Sequence, residues 1–168
     1  ATTGTVTVSN NINITGTSAA IATAVGNVDT FSGTPTATLG DAHTLAELKA
    51  INNALSGTLT LNDVTVALSG STADVKAALA GSFAAGYTGN VTLSDNHTLS
   101  ELKAINDATT GSITLNSSAV ALSGTSLDVA AALDGFTNYT GNVTLTDTHN
   151  LAQLKSINNA TSGEITLN

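Results

Sequence analysis

Three copies of Asp-x-His punctuate the sequence, at Asp41 and His43, Asp95 and His97, and Asp147 and His149. A carboxylate two residues from an imidazole can ligate a divalent metal or work as an acid–base pair. The copies are 54 and 52 residues apart. If each period makes two coils with parallel strands ~4.8 Å apart, equivalent His residues stand ~10 Å from one another. A shared ion needs each nitrogen at ~2.1 Å, so the three cannot converge on one metal. The structural reading is better: each His directly precedes a helix cap and packs on the Leu one turn inside, Leu48, Leu102 or Leu154, as a hydrophobic staple.

Lys49, Lys103 and Lys155 recur beside Asn52, Asn106 and Asn158, with Glu47 and Glu101 nearby. The set resembles the Lys, Asn and acid trios that form isopeptide crosslinks in surface proteins. That chemistry needs Lys and Asn together in an apolar pocket with a protonated acid. Here they fall on one exposed helical edge, and Gln153 replaces the acid in the last copy. A ladder of these Asn side chains, hydrogen-bonded from coil to coil, is the structural alternative. No nucleophile with a positioned base, no paired carboxylates in a pocket and no phosphate-cradling Gly loop can be identified, so the chain is not expected to be an enzyme.

The elements that position these residues are repeats. The stretches DAHTLAELKAINNALSGTLTLN from Asp41, DNHTLSELKAINDATTGSITLN from Asp95 and DTHNLAQLKSINNATSGEITLN from Asp147 are three versions of one text. Gly16, Gly70 and Gly124 recur at 54 and 54, and the two-residue shortening falls between GSFAAGYTGN and GFTNYTGN, in a loop. Each period divides again into two units of strand, polar turn, capped helix and Gly stop, about 27 residues each. Thr44-x-x-Glu47, Thr98-x-x-Glu101 and Asn150-x-x-Gln153 are capping boxes, and Ser71-x-x-Asp74 and Thr125-x-x-Asp128 serve similarly. Gly26, Gly57, Gly81, Gly111, Gly135 and Gly163 are read as left-handed helix stops. Leu99, Leu102, Ile105 and Ala108 form one apolar stripe of the kind that lies on a sheet, while NVTL, SITL and AVAL alternate as half-buried strands do.

The fold class expected is therefore α/β: a repeat solenoid of short parallel strands alternating with short capped helices, in three double repeats of about 54 residues. Residues 1–11 read as the closing strand of a preceding repeat, 12–63 as repeat 1, 64–118 as repeat 2 and 119–168 as repeat 3. ITLNSSAVAL is compatible with either a hairpin or two successive strands.

Composition narrows the partners. Of the 168 residues, 41% are hydrophobic but only 3% aromatic, with no Cys, Met or Trp, so the core must be built of small and branched side chains. All four basic residues are Lys and the net charge is -8, which makes nucleic acid a poor partner and an anionic membrane surface little better. The longest apolar run, VAAAL from Val129 to Leu133, is far short of the ~20 residues a spanning helix needs, so no membrane insertion is expected.

TTGTVTVSN from Thr2 to Asn10 matches TTGSITLN from Thr109 to Asn116, so the sequence opens on a repeat's closing strand and finishes on the equivalent one. The residues expected to carry assembly are Thr5, Val6, Thr7 and Val8 at one end and Glu164, Ile165, Thr166 and Leu167 at the other, meeting copies of the chain or adjacent repeats of the same polypeptide. The string from Leu151 to Leu167, with VALSGTSLDVAAAL from Val120 to Leu133, resembles tandem repeats in very large secreted or cell-surface proteins of cyanobacteria and other bacteria. The resemblance covers nearly all of the chain, with Ile12 to Pro35 the most diverged, and implies an extracellular structural or adhesive role: a fibre, surface layer or adhesin stalk. It brings no catalytic residues. No cofactor is expected, and calcium has no motif behind it, since the nonapeptide GGxGxD is absent.

A second class of function is a surface-binding module for ice, polysaccharide or mineral, using outward Thr60, Thr92, Thr114, Thr144 and Thr166. The AVAL strands would interrupt those rows with Ala67 and Ala121. Asn-x-Ser/Thr occurs at Asn13, Asn90, Asn96, Asn116, Asn138, Asn142 and Asn159, as readily arises by chance in a chain this rich in Asn and Thr.

Overall fold

The computed structural model describes residues 4–168. The chain is a mixed α/β protein with six helices and short, exclusively parallel strands among those residues. Strand β1 (Thr7–Val8) precedes the first repeat, to which β2 (Asn13–Gly16), β3 (Thr30–Phe31), β4 (Thr36–Leu39) and β5 (Leu59–Thr60) belong with helices α1 (Ser18–Gly26) and α2 (Leu45–Ala54). The second holds β6 (Leu68–Gly70), α3 (Thr72–Leu79), β7 (Val91–Leu93), α4 (Leu99–Ala108) and β8 (Ile113–Thr114). The third holds β9 (Leu122–Gly124), α5 (Ser126–Ala132), β10 (Val143–Leu145), α6 (Leu151–Ala160) and β11 (Ile165–Thr166).

Each repeat lays down one three-stranded sheet with the orders β2-β4-β5, β6-β7-β8 and β9-β10-β11, and β1 pairs separately with β3. Because all pairs are parallel, the stretch from Ile113 to Leu122 is two strands of different sheets and no hairpin. The segment Thr2 to Asn10 supplies β1 at Thr7–Val8, while its Thr2 and Thr3 lie outside the described residues.

Helix starts at Ser18, Leu45, Thr72, Leu99 and Ser126 are 27 residues apart, and Leu151 follows 25 later. Strands do not keep that spacing: Asn13 pairs with Thr36, Ala37 with Leu59, Leu68 with Val91 and Leu122 with Val143. The mismatch arises because the two units of a repeat have unequal turns. Gly16, Gly70 and Gly124 are followed almost at once by a helix, whereas Leu39, Leu93 and Leu145 reach theirs through a longer turn that contains Asp-x-His.

Every expected cap forms. The hydroxyls of Thr44 and Thr98 accept from the amides of Glu47 and Glu101, whose carboxylates reach back, and Asn150 does the same with Gln153. Ser71 and Thr125 accept from Asp74 and Asp128. Inward side chains of strands and helices meet in the core: Leu48, Ile51, Leu59, Val75, Val91, Leu102, Ile105, Val129, Val143 and Ile157 are all fully buried. Within the α4 stripe, Leu102 and Ile105 are the buried members, and Leu99 and Ala108 sit at its margins. Each helix also contacts the next along the chain, so the core runs on from repeat to repeat.

Of the six expected left-handed glycine stops, only Gly135 (φ 77°), just beyond α5, is one; the others are corrected by the backbone, since Gly33 (φ 89°) is the one further positive-φ residue among the described residues. The later helix of each repeat ends in extended backbone at Leu55, Thr109 or Thr161. Gly57, Gly111 and Gly163 are needed for a different reason: a Cβ there would collide with the carbonyls of Pro35, Gly89 and Gly141 on the neighbouring strand segment. Gly16 is the opposite case, since its Cβ would make an ordinary 3.8 Å contact with Ile21 Cγ1. Gly111→Ala should therefore lower unfolding free energy by ~1–3 kcal/mol, while Gly16→Ala should be neutral or stabilising by up to ~1 kcal/mol, as read from urea denaturation of the two variants.

Candidate functional site

The Asp-x-His turn divides its two side chains between two tasks. The Asp binds backward, within its own repeat: the amides of Ser18, Thr72 and Ser126 donate to Asp41, Asp95 and Asp147, at 2.7 Å in all three cases. These amides are the first of α1, α3 and α5, so each Asp caps the earlier helix of its repeat and meets the positive end of its dipole. Hydrogen bonds from the Thr72 hydroxyl and amide hold the Asp95 carboxyl below the usual carboxylate range.

The His binds forward, to the next repeat. His43 Nε2 lies 3.1 Å from the hydroxyl of Tyr87, and His97 Nε2 lies 3.0 Å from that of Tyr139. Each Tyr hydroxyl donates to a carbonyl 2.6 Å away, of Val66 and Val120 respectively. A hydroxyl has one proton, so toward the imidazole it can only accept and Nε2 must carry the proton; with no acceptor at the buried Nδ1, the ring is the neutral Nε2–H tautomer. Nδ1 then carries a bare lone pair, and in His43, His97 and His149 it is buried without a hydrogen-bond partner. All four rings of the two pairs are nearly or wholly buried. Burial pushes the His43 and His97 pKa values below the ordinary imidazole value and raises that of Tyr139 to about 12. The staple reading of His43 and His97 thus misses their main partner, a Tyr more than forty residues away.

Other recurring side chains also serve the boundary between repeats. The Asn52 amide donates to the carbonyls of Ala77 and Ala78, and Asn106 to those of Ala131 and Asp134. They satisfy the open C-terminal ends of α3 and α5 and form no ladder with one another. Lys49 forms an ion pair with Asp74 across the first boundary, whereas Lys103 pairs with Asp107 on its own helix at 2.8 Å. With the amides of Asn52 and Asn106 turned to backbone, the isopeptide arrangement is not assembled at either boundary. No group of three or more His, Asp or Glu among the described residues is placed to hold a metal ion, and no helix there is long and apolar enough to cross a membrane.

The expected assembly residues are at the surface. Val6 N donates to Asp29 Oδ2 at 2.7 Å, and β1 pairs with β3 through Thr7 with Thr30 and Val8 with Phe31, while Thr5 is exposed. At the other end Ile165 and Thr166 pair with Val143 and Thr144, Glu164 donates its amide to Asn142, and Leu167 is exposed. The far edge of β11 has no strand partner among the described residues.

The Thr face is more regular than the sequence suggests. Thr38 pairs with Thr15 and Thr60, Thr92 with Ser69 and Thr114, and Thr144 with Ser123 and Thr166. Ala67 and Ala121 do not interrupt the rows, because the strands begin one residue later and place Ser69 and Ser123 in register. Each of the three-stranded sheets thus presents a rank of three hydroxyls. No family model matches this chain, and no curated protein or solved structure matches it.

Two outcomes follow from the His–Tyr pairs. Tyr139→Phe leaves His97 Nε2–H and the Val120 carbonyl without a partner and should cost ~1–3 kcal/mol in a denaturant titration. The second outcome concerns pH. From about pH 6.5 downward the unfolded chain takes up protons that the folded His43 and His97 refuse, so stability is complete above that value and falls toward their lowered native pKa values. The urea midpoint should be lower at pH 5.5 than at pH 7.5, and the drop should shrink in His43→Gln/His97→Gln; equal midpoints in the native chain would contradict this.

Proposed function

We propose that this chain is a structural element of an extracellular fibre, surface layer or adhesin stalk, a solenoid of double repeats that assembles end to end through its terminal strands. The observation that carries the reading is the repeated boundary. The same turn and helix face join repeat 1 to repeat 2 and repeat 2 to repeat 3, the closing strand adds a bridge from Leu59 to Phe83 at the first boundary, and an equivalent face around His149, Leu151 and β11 stands open. Leu151, whose counterparts Leu45 and Leu99 are partly covered by the following repeat, is 82% exposed. Partners on this reading are copies of the chain or adjacent repeats, held by backbone hydrogen bonds along strand edges and by continuation of the apolar core. Catalysis has no place in it.

The hydroxyl ranks favour a second reading, a binding module for ice, polysaccharide or mineral. Equivalent hydroxyls ~4.8 Å apart along a sheet form a periodic polar surface suited to a periodic ligand. The two readings separate experimentally. Analytical ultracentrifugation and negative-stain microscopy across concentration should reveal association of the native chain and its loss in Ile165→Pro, which removes the outward-facing donor from the far edge of β11. Replacement of Thr92 and Thr144 by Lys should leave association intact. If the native chain stays monomeric while those Lys substitutions abolish adsorption to ice or polysaccharide, the surface-binding reading replaces the structural one.

A further inference from the structure

The terminal strands cannot both be present at a junction between copies, because they are the same strand of the repeat. Val6 aligns with Leu59, Ile113 and Ile165 in the shared text. The alignment is physical as well. Leu59 at the end of repeat 1 bridges Phe83 of repeat 2 and accepts from the amide of Ala84 at 2.9 Å. Val6 accepts in the same way from the amides of Asp29 and Thr30, at 3.0 and 3.3 Å, next to the β1–β3 pair. In repeat 1, β1 therefore occupies the place that the closing strand of a preceding repeat takes in repeat 2.

We infer that β1 is a self-supplied stand-in for that strand, and that two copies join when β11 of one replaces β1 on β3 of the next. This rests on the end-to-end reading above and names its interface. The occupant is a second copy of this chain, for which the leading face offers a fitted receptor. At both internal boundaries a Leu of the later helix, Leu45 or Leu99, sits so close over Gly70 or Gly124 that a Cβ there would collide with its Cδ2. At the open ends the knob and the hole are both vacant: Leu151 is exposed, and nothing but Ile21 lies within 4 Å of a Cβ on Gly16. Around Gly16 the outer surface of α1 consists of Ala19, Ala20 and Thr23, all exposed and small enough for α6 to approach.

The leading face lacks two features of the internal boundaries. Ala20 stands where Asp74 and Asp128 are, so Lys155 gains no acid, and Gly33 stands where Tyr87 and Tyr139 are, so His149 gains no hydroxyl. A junction between copies is accordingly weaker than one within the chain. It must also displace β1, which makes association slow, reversible and concentration-dependent.

The chain contains no Cys, so a single engineered disulfide can lock β1 in place. Thr7 and Thr30 are register partners on exposed positions, suited to Thr7→Cys/Thr30→Cys. Sedimentation velocity on the full-length chain is the readout, with circular dichroism to confirm folding. The oxidised lock should be monomeric and the reduced form should associate as the native chain does. Asp29→Ala, which frees Val6 N, should shift association to at least several-fold lower concentration. Gly16→Val, which fills the hole and in the isolated chain has only Ile21 within 4 Å of its Cβ, should block it. Association of the oxidised lock equal to that of its reduced form would overturn strand replacement while leaving end-to-end assembly standing. A native chain and an Asp29→Ala variant that both remain monomeric at every concentration would overturn both.

Discussion

A tyrosine hydroxyl that gives its one proton to a carbonyl and accepts another from a buried imidazole is the constraint on which the boundaries between repeats depend. It places a proton on Nε2 of His43 and His97, which burial keeps uncharged, and ties the long turn of one repeat to the loop before the next repeat's second sheet strand. The same turn holds its own repeat through Asp41, Asp95 or Asp147. Two side chains separated by one residue thus close a repeat on itself and fasten it to its successor. A turn of this kind transmits order along the chain, because a unit that loosens its Asp contact also misplaces the His of the next boundary.

The parts of this design governed by short sequence separations were legible beforehand. Capping boxes at Thr44, Thr98 and Asn150 involve groups three residues apart, and the alternation of Val91, Thr92 and Leu93 is a two-residue period, so both survive translation from text to structure. What failed to read through were effects of one chain segment on a distant one. Gly57, Gly111 and Gly163 occur where helices end and so imitate left-handed stops, yet their role is to let a neighbouring carbonyl approach. TVAL, ending at Leu68, and AVAL, ending at Leu122, alternate perfectly well as strands, but pairing with Val91 and Val143 selects Leu68 and Leu122 as the first bonded residues and so brings Ser69 and Ser123 to the hydroxyl ranks.

The His–Tyr contacts join residues 44 and 42 apart, beyond any local pattern. A signal for them did exist. The sequence contains only two Tyr, both in Tyr-Thr-Gly-Asn and both in the phase of the repeat. In a chain so poor in aromatic residues, two Tyr at equivalent positions point to a specific hydroxyl contact more than to core filling. The first repeat departs from this text at Gly33, and that departure is what makes its leading face different from the internal boundaries.

The central claim is that the imidazole and the hydroxyl act as one hydrogen-bonded pair across the boundary. A double-mutant cycle on His97→Gln and Tyr139→Phe, measured by urea unfolding at pH 7.5, addresses it most directly. A coupling of ~1–2 kcal/mol, with the double variant less destabilised than the sum of the singles, is the predicted result. Additivity within ~0.3 kcal/mol would mean that the two rings only pack side by side, and would contradict the account.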